Sequence, residues 1–420
     1  MDGLTANDRP LPPGHWVRRL FLMRGLRGIG QGLMMASLAL CLRKSGWTGT
    51  EIGLLFSLGT LGEMGTGMAI GHLSGKYRRA RRLLFIGEIL TFTGALAGLF
   101  TALFALPPAG FWIASVLGGF GQRSNGSPGP FAPAELSFLS RSLPAADWIP
   151  RLSLLMSSGF LGMGAGAFLA MVPEEAVSSA FRGAGLTAVL YGISACLSFS
   201  CLLLLVSILA IDLPPDPDLA GSPEKEAKAD ERSRMRALVL INLMGGLAIG
   251  LADLMIPYWF SVRYHLDPTR IGPLMAGTFL LTAIASFFGA RLVRFFGELP
   301  LFLGTQAGSI VLLLLFPWIP SVWGDFILLA LRFILTRAPV GIRQAFVNRL
   351  LPGPRIGFAV SVNIVSLQTG QLVGPVLAGF LIDRSLGWTP FILAGLLQIG
   401  AAVLSNSLFS RKIPPTEGAA

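Results

Sequence analysis

Residues 17 to 412 form a nearly unbroken series of apolar runs of about twenty residues separated by short turns, and twelve can be counted. A helix needs about 20 apolar residues to cross a hydrocarbon core of roughly 30 Å, and soluble domains rarely sustain that length back to back. The pattern predicts an all-α membrane protein. Its spans are expected at 17–42, 50–72, 83–106, 111–135, 152–172, 184–211, 237–260, 270–290, 299–318, 324–346, 357–381 and 388–410.

Only 13% of the 420 residues are charged, 53% are hydrophobic, and the mean hydropathy is +0.67. The 52 glycines and 28 prolines, breakers in water, permit close helix contacts and local unwinding in a bilayer. The net charge of +11 raises the question of nucleic acid, but the basic residues form no patch on a domain. Most of the 33 lysines and arginines fall on one side of the membrane once the N-terminus is placed in the cytoplasm. Both termini are therefore expected there, in a plasma membrane or bacterial inner membrane. The Lys76, Arg78, Arg79, Arg81 and Arg82 cluster, between spans 2 and 3, should meet anionic lipid head groups. Met1 to His15 is polar, and the first apolar run lacks a small-residue cleavage site, so it is read as span 1.

One stretch, 213–236, has paired prolines and interleaved charge and reads as a cytoplasmic linker. It divides the chain into a tail at 1–16, a six-helix bundle at 17–212, a second bundle at 237–410 and a tail at 411–420. The halves echo one another. Phe138, Arg141, Leu143 and Pro144 recur 208 residues later as Phe346, Arg349, Leu351 and Pro352, as do Gly162, Gly166 and Ala170 at Gly370, Gly374 and Ala378. Thr50, Ile52, Gly53 and Leu55 recur at Thr269, Ile271, Gly272 and Leu274. Two pseudo-symmetric six-helix bundles of this kind predict a transporter that rocks one half against the other about a site near the midplane.

Ionisable groups inside a membrane are costly unless paired or hydrated, which makes each a functional candidate. Arg123 in span 4 and Arg337 in span 10 lie nearest the expected midplane at corresponding places in the halves, with Arg332 near Arg337. Two guanidiniums, one from each half, could grip an anion; ion pairing that merely holds the bundle is the alternative. Glu63 in span 2 and Asp253 in span 7 are the deepest acids and are either proton-coupling groups or partners of these arginines. Glu88 and Glu135 are expected to pair with Arg79, Arg82 or Arg141, and Arg24 and Arg27 to snorkel to head groups. Gln31, Asn242 and Gln368 could line a substrate cavity, while Tyr258 and Trp259 read as an interfacial belt. No nucleophile, base and orienter set, no metal-ligand spacing and no phosphate-binding lysine loop is visible, so neither an enzyme nor a cofactor is expected.

On these residues the chain resembles the major facilitator superfamily. Gly71, Leu73, Lys76, Tyr77, Arg79, Arg81 and Arg82 fall on or near that family's basic motif between spans 2 and 3, although Gly75 stands where the family carries an acid that latches the halves, and Arg78 where it carries a glycine. Gly374-Pro375-Val376-Leu377-Ala378-Gly379 looks like the G-P-x-x-x-G pattern of span 11, and Gly162 to Gly166 resembles part of an antiporter glycine motif. Arg123, in the glycine- and proline-rich stretch from Gly121 to Pro130, loosely matches a motif linked to proton coupling, and a distorted helix is expected there. The resemblance implies a monomeric secondary transporter that moves a small solute, an organic anion or an amphipathic drug or metabolite, by proton-coupled alternating access. Two other classes fit the same fold: a flippase for lipid or lipid-linked substrates, and a membrane sensor or scaffold that transports nothing.

Overall fold

The computed structural model describes residues 15–77, 80–121, 145–180, 185–209, 229–337 and 356–412. Among these the chain forms α1 (His15–Lys44), α2 (Gly49–Tyr77), α3 (Ala80–Leu103), α4 (Ala109–Gly118), α5 (Ala145–Leu169), α6 (Glu174–Ala180) and α7 (Leu186–Leu209). The second half comprises α8 (Ala229–Ala252), α9 (Ile256–Tyr264), α10 (Pro268–Phe296), α11 (Glu298–Leu315), a 3-10 turn at Phe316–Trp318, α12 (Val322–Arg337), α13 (Ile356–Asp383) and α14 (Thr389–Lys412). Each of the twelve expected spans overlaps at least one of these helices, and eight segments of the described chain are by themselves long and apolar enough to cross a membrane.

The packing repeats from one half to the other. In the first, α1 lies on α5 and α7, α3 on α4 and α7, and α2 on α4. In the second, α8 lies on α13 and α14, α11 on α12 and α14, and α10 on α12, which is the same set of neighbours six spans later. The halves meet through α2 against α13 and α5 against α10, a pair of contacts that the same symmetry exchanges. The bundle is all-helical over its described length, with the two-fold relation that the sequence echo predicts.

Glycine explains why the echo survives. A Cβ on Gly162 would overlap the carbonyl of Gly25, and one on Gly166 that of Ile29, so α1 and α5 cross backbone to backbone. Gly370 and Gly374 bring α13 equally close to Leu243 and Gly250 of α8. The partner helices carry their own repeat: Gly28 and Gly32 of α1 answer to Gly246 and Gly250 of α8, 218 residues later. Without a water-driven hydrophobic force between helices, such close approach and the dispersion it allows hold a membrane bundle together.

Three elements differ from the expected spans. The helix α8 begins at Ala229, inside the expected linker, because ADERSRMR is rich in good helix formers and contains no proline. Span 4 is helical only to Gly118; Gly119 and Gly121 then take positive φ, and the rest of the stretch through Pro130, with Arg123, lies outside the described residues. Span 7 is two helices rather than one. Pro257 has no N–H to give the carbonyl four residues back, that of Asp253, and the chain turns through Asp253, Leu254 and Met255 between α8 and α9.

Candidate functional site

The break in span 7 puts Asp253 in the turn between α8 and α9. Asp253 is buried, and its Oδ1 accepts a hydrogen bond from Nη1 of Arg332 on α12 at 2.5 Å. Its Oδ2 lies 3.7 Å from Nη2 of Arg337, one and a half turns further along α12. One carboxylate thus bridges two guanidiniums, and the three side chains alone carry an excess of one positive charge. Nε and Nη2 of Arg332 are buried and have no hydrogen-bond partner among the described residues. The Arg337 guanidinium also sits over the ring of Phe333, 5.8 Å from its centroid. Exposure separates the two arginines: the side chain of Arg337 is 12% accessible, against 3% for Arg332 and 2% for Asp253. Arg337 keeps the most accessible surface of the three.

A second buried pair occupies the first half. Arg27 donates to Oε2 of Glu88 from Nε at 2.7 Å, with Nη2 at 2.6 Å from the same oxygen. Arg24, one turn before it, is buried and donates to Sδ of Met156 at 3.1 Å. The expected snorkelling of Arg24 and Arg27 is therefore not what the fold shows. Both point into the bundle, where Glu88 on α3 binds Arg27 of α1; the side chains of Arg79, Arg82 and Arg141, its expected partners, lie outside the described residues.

The remaining expected positions divide. Asn242 is buried and gives its amide to the carbonyl of Asn363 (3.2 Å), to Oδ1 of Asn363 (3.2 Å) and to Oγ of Ser366 (2.8 Å), fastening α8 to α13. Gln31 is buried in the first half, with Nε2 3.4 Å from the Gly118 carbonyl at the end of α4. Glu63 and Gln368 are half-buried on α2 and α13, the two helices that meet between the halves. Gly71 and Lys76 lie in the last turns of α2, Gly374 and Pro375 inside α13, and Arg79, like Arg123 and Glu135, lies outside the described residues.

Tyr258 and Trp259 are not an interfacial belt: both are buried, because the short helix α9 turns them inward. Trp259 donates to the Gly387 carbonyl at 2.8 Å and packs against Phe316 and Phe391, with ring centroids 4.8 Å and 5.0 Å away. Sequence reasoning also passed over Asp325. It is fully buried in the first turn of α12 and accepts the Tyr264 hydroxyl at 2.5 Å, while Arg263 binds the carbonyls of Pro317 and Ile319. An acid at the very start of an apolar run was the available signal.

Known proteins share this fold. Residues 238–420 match the model of the Major Facilitator Superfamily. The chain is 23% identical over 387 residues to the quinolone resistance protein NorA of Staphylococcus aureus, covering 90% of this chain and 92% of that protein. Its fold resembles that of the human organic anion transporter MFSD10 (TM-score 0.70, 15% identity, 94% of this chain and 99% of that one). It also resembles the E. coli fucose:proton symporter FucP (TM-score 0.63, 15% identity, 93% and 98%). The second half of the chain thus matches the sequence model of the Major Facilitator Superfamily, and the fold over nearly the whole length is similar to that of solved membrane transporters.

Proposed function

We propose that the protein is a proton-coupled secondary transporter that exports small amphipathic solutes bearing an anionic group, with Arg337 as the anion-binding arm. The observation that carries this reading is the two-to-one cluster of Arg332 and Arg337 on Asp253 at the break in span 7. Two guanidiniums that share one carboxylate still have N–H donors to offer, and a solute anion that accepts from them recovers part of the cost of burying the cluster. Arg332 is the anchor, held by its short bond to Asp253. Arg337, at the longer distance and with more accessible surface, can swing its fork onto a carboxylate.

Coupling follows from competition. A solute anion and Asp253 seek the same guanidiniums, so Asp253 is the proposed group through which proton and solute compete. Glu63, half-buried on α2, is a second candidate carrier from the other half. Arg123, outside the described residues, stays a proposed second anion-binding arginine from the first half on the sequence alone. Export is supported by the name of the NorA relative, whose resistance role is its own. The plasma membrane placement, cytoplasmic termini and monomeric state stand on the charge pattern and the family resemblance.

The test is reconstitution of the purified protein in liposomes loaded with a pH-sensitive dye, challenged with pools of small aromatic carboxylates, amphipathic cations and labelled lipid. Proton movement driven by the carboxylates supports the reading. A response confined to cations, or scrambling of lipid without proton movement, contradicts it.

A further inference from the structure

We infer that Asp383 is a latch that clasps the two halves together at one end of the bundle and biases the transporter toward the state closed there. The end in question carries the α1–α2, α9–α10 and α13–α14 turns and is the one the charge pattern predicts to be extracellular.

Asp383 ends α13 in the second half and reaches across to the first turn of α2 in the first half. Its Oδ1 accepts the backbone N–H of Gly49 at 3.0 Å, and its Oδ2 accepts both the backbone N–H and the hydroxyl of Thr50, each at 3.0 Å. The Tyr258 hydroxyl of α9 donates to Oδ1 at 2.7 Å and aligns the carboxylate from its own half. The first N–H groups of a helix have no partner within the helix and carry its positive pole, so a carboxylate supplied by another segment both satisfies and neutralises them. The helix keeps its own cap, in which Thr48 accepts the Glu51 N–H and Glu51 accepts from Thr48, but the N–H groups of Gly49 and Thr50 are capped from the opposite half, and separating the halves leaves those amides and the carboxylate to water.

The surrounding surfaces are cut to allow the clasp. A Cβ on Gly379 would overlap the Gly49 carbonyl, one on Gly53 the carbonyl of Pro375, and one on Gly49 the Asp383 carboxylate and the Tyr258 ring. Arg43, at the end of α1, adds a second bridge between halves by donating to Oγ of Ser261 at 2.7 Å. Further along the same helix pair the fit relaxes: a Cβ on Gly65 would meet nothing within 4 Å, and Met68 and Thr369 are exposed. The inference concerns which end opens and does not depend on the solute carried.

The experiment uses full-length protein in liposomes with Cys41, Cys196 and Cys201 replaced and spin labels on two pairs of engineered cysteines. One pair, at Ser45 and Leu386, spans the latched end; the other, at Met68 and Thr369, spans the opposite side of the same helices. For Asp383→Ala we expect the population open at the latched end to rise roughly tenfold, the scale of losing a helix N-cap, with the Met68 and Thr369 pair drawing closer in the same molecules. Tyr258→Phe, which removes one of the four bonds, should give a smaller shift of the same sign and serves if Asp383→Ala does not fold. Unchanged distances in folded variants would overturn the inference. So would lengthening at Ser45 and Leu386 alone, which would mean local fraying.

Discussion

The two halves bury charge in different ways although they share one packing plan. In the first, Glu88 receives two nitrogens of a single guanidinium, that of Arg27, on one oxygen. In the second, Asp253 spreads its oxygens over two arginines and leaves nitrogens of Arg332 unmatched among the described residues. Symmetry of the backbone therefore does not extend to the electrostatics. Both halves bury two arginines beside one acid, Arg24 and Arg27 with Glu88 and Arg332 and Arg337 with Asp253, but only in the second does the carboxylate contact both, and that shared contact is the one proposed to meet a ligand. The account holds that this asymmetry separates structure from transport.

Removing Arg332 is the harshest way to press on the difference. Arg332→Ala leaves Asp253 buried with only its long contact to Arg337, and a loss of about 3–5 kcal/mol of stability is expected. Thermal unfolding in detergent should show the drop, and transport should vanish. Arg27→Ala should destabilise by a similar amount, yet here the paired change Arg27→Met with Glu88→Leu should restore both folding and transport. The corresponding pair in the second half, Arg332→Met with Asp253→Leu, should recover folding alone. Recovery of transport there would erase the distinction.

Arg337→Ala sharpens the contrast without threatening the fold. Arg337 keeps some accessible surface and Asp253 keeps Arg332, so unfolding should change little while transport of anionic solutes falls on the order of 10- to 100-fold, the worth of a charged hydrogen-bonded contact. The smallest effect belongs to Asn242→Ala. Its amide ties α8 to α13 through Asn363 and Ser366, and about 1–2 kcal/mol of stability should be lost with solute preference unchanged. An altered preference would return Asn242 to the list of groups that touch substrate.

Hydropathy made the span pattern legible because a bilayer demands long apolar helices, and the glycine echo at Gly162 and Gly370 made the internal symmetry legible because backbone contact tolerates no Cβ at those crossings. The matching echo of Gly28 and Gly32 in Gly246 and Gly250 was equally present and went unread, since its offset differs by an indel. The break at Asp253 was hidden by hydropathy, which is blind to backbone geometry; Pro257 was the only sign of it. Pairing was the least accessible layer. Arg27 and Glu88 are 61 residues apart, and Asp253 and Arg332 are 79, so nothing local announces that they meet. Burial misled in the same way at Tyr258 and Trp259, where composition suggested an interfacial belt and a three-residue turn instead rotates them into the core.

The most direct test of the central claim measures charge discrimination. Wild-type protein and Arg337→Ala would be reconstituted side by side, and the transport of small aromatic carboxylates compared with that of their methyl esters. The account predicts that the wild type moves the carboxylates in clear preference and that Arg337→Ala, still folded, loses that preference. Equal discrimination in the two proteins would contradict it and return the excess charge of the second half to a purely structural role.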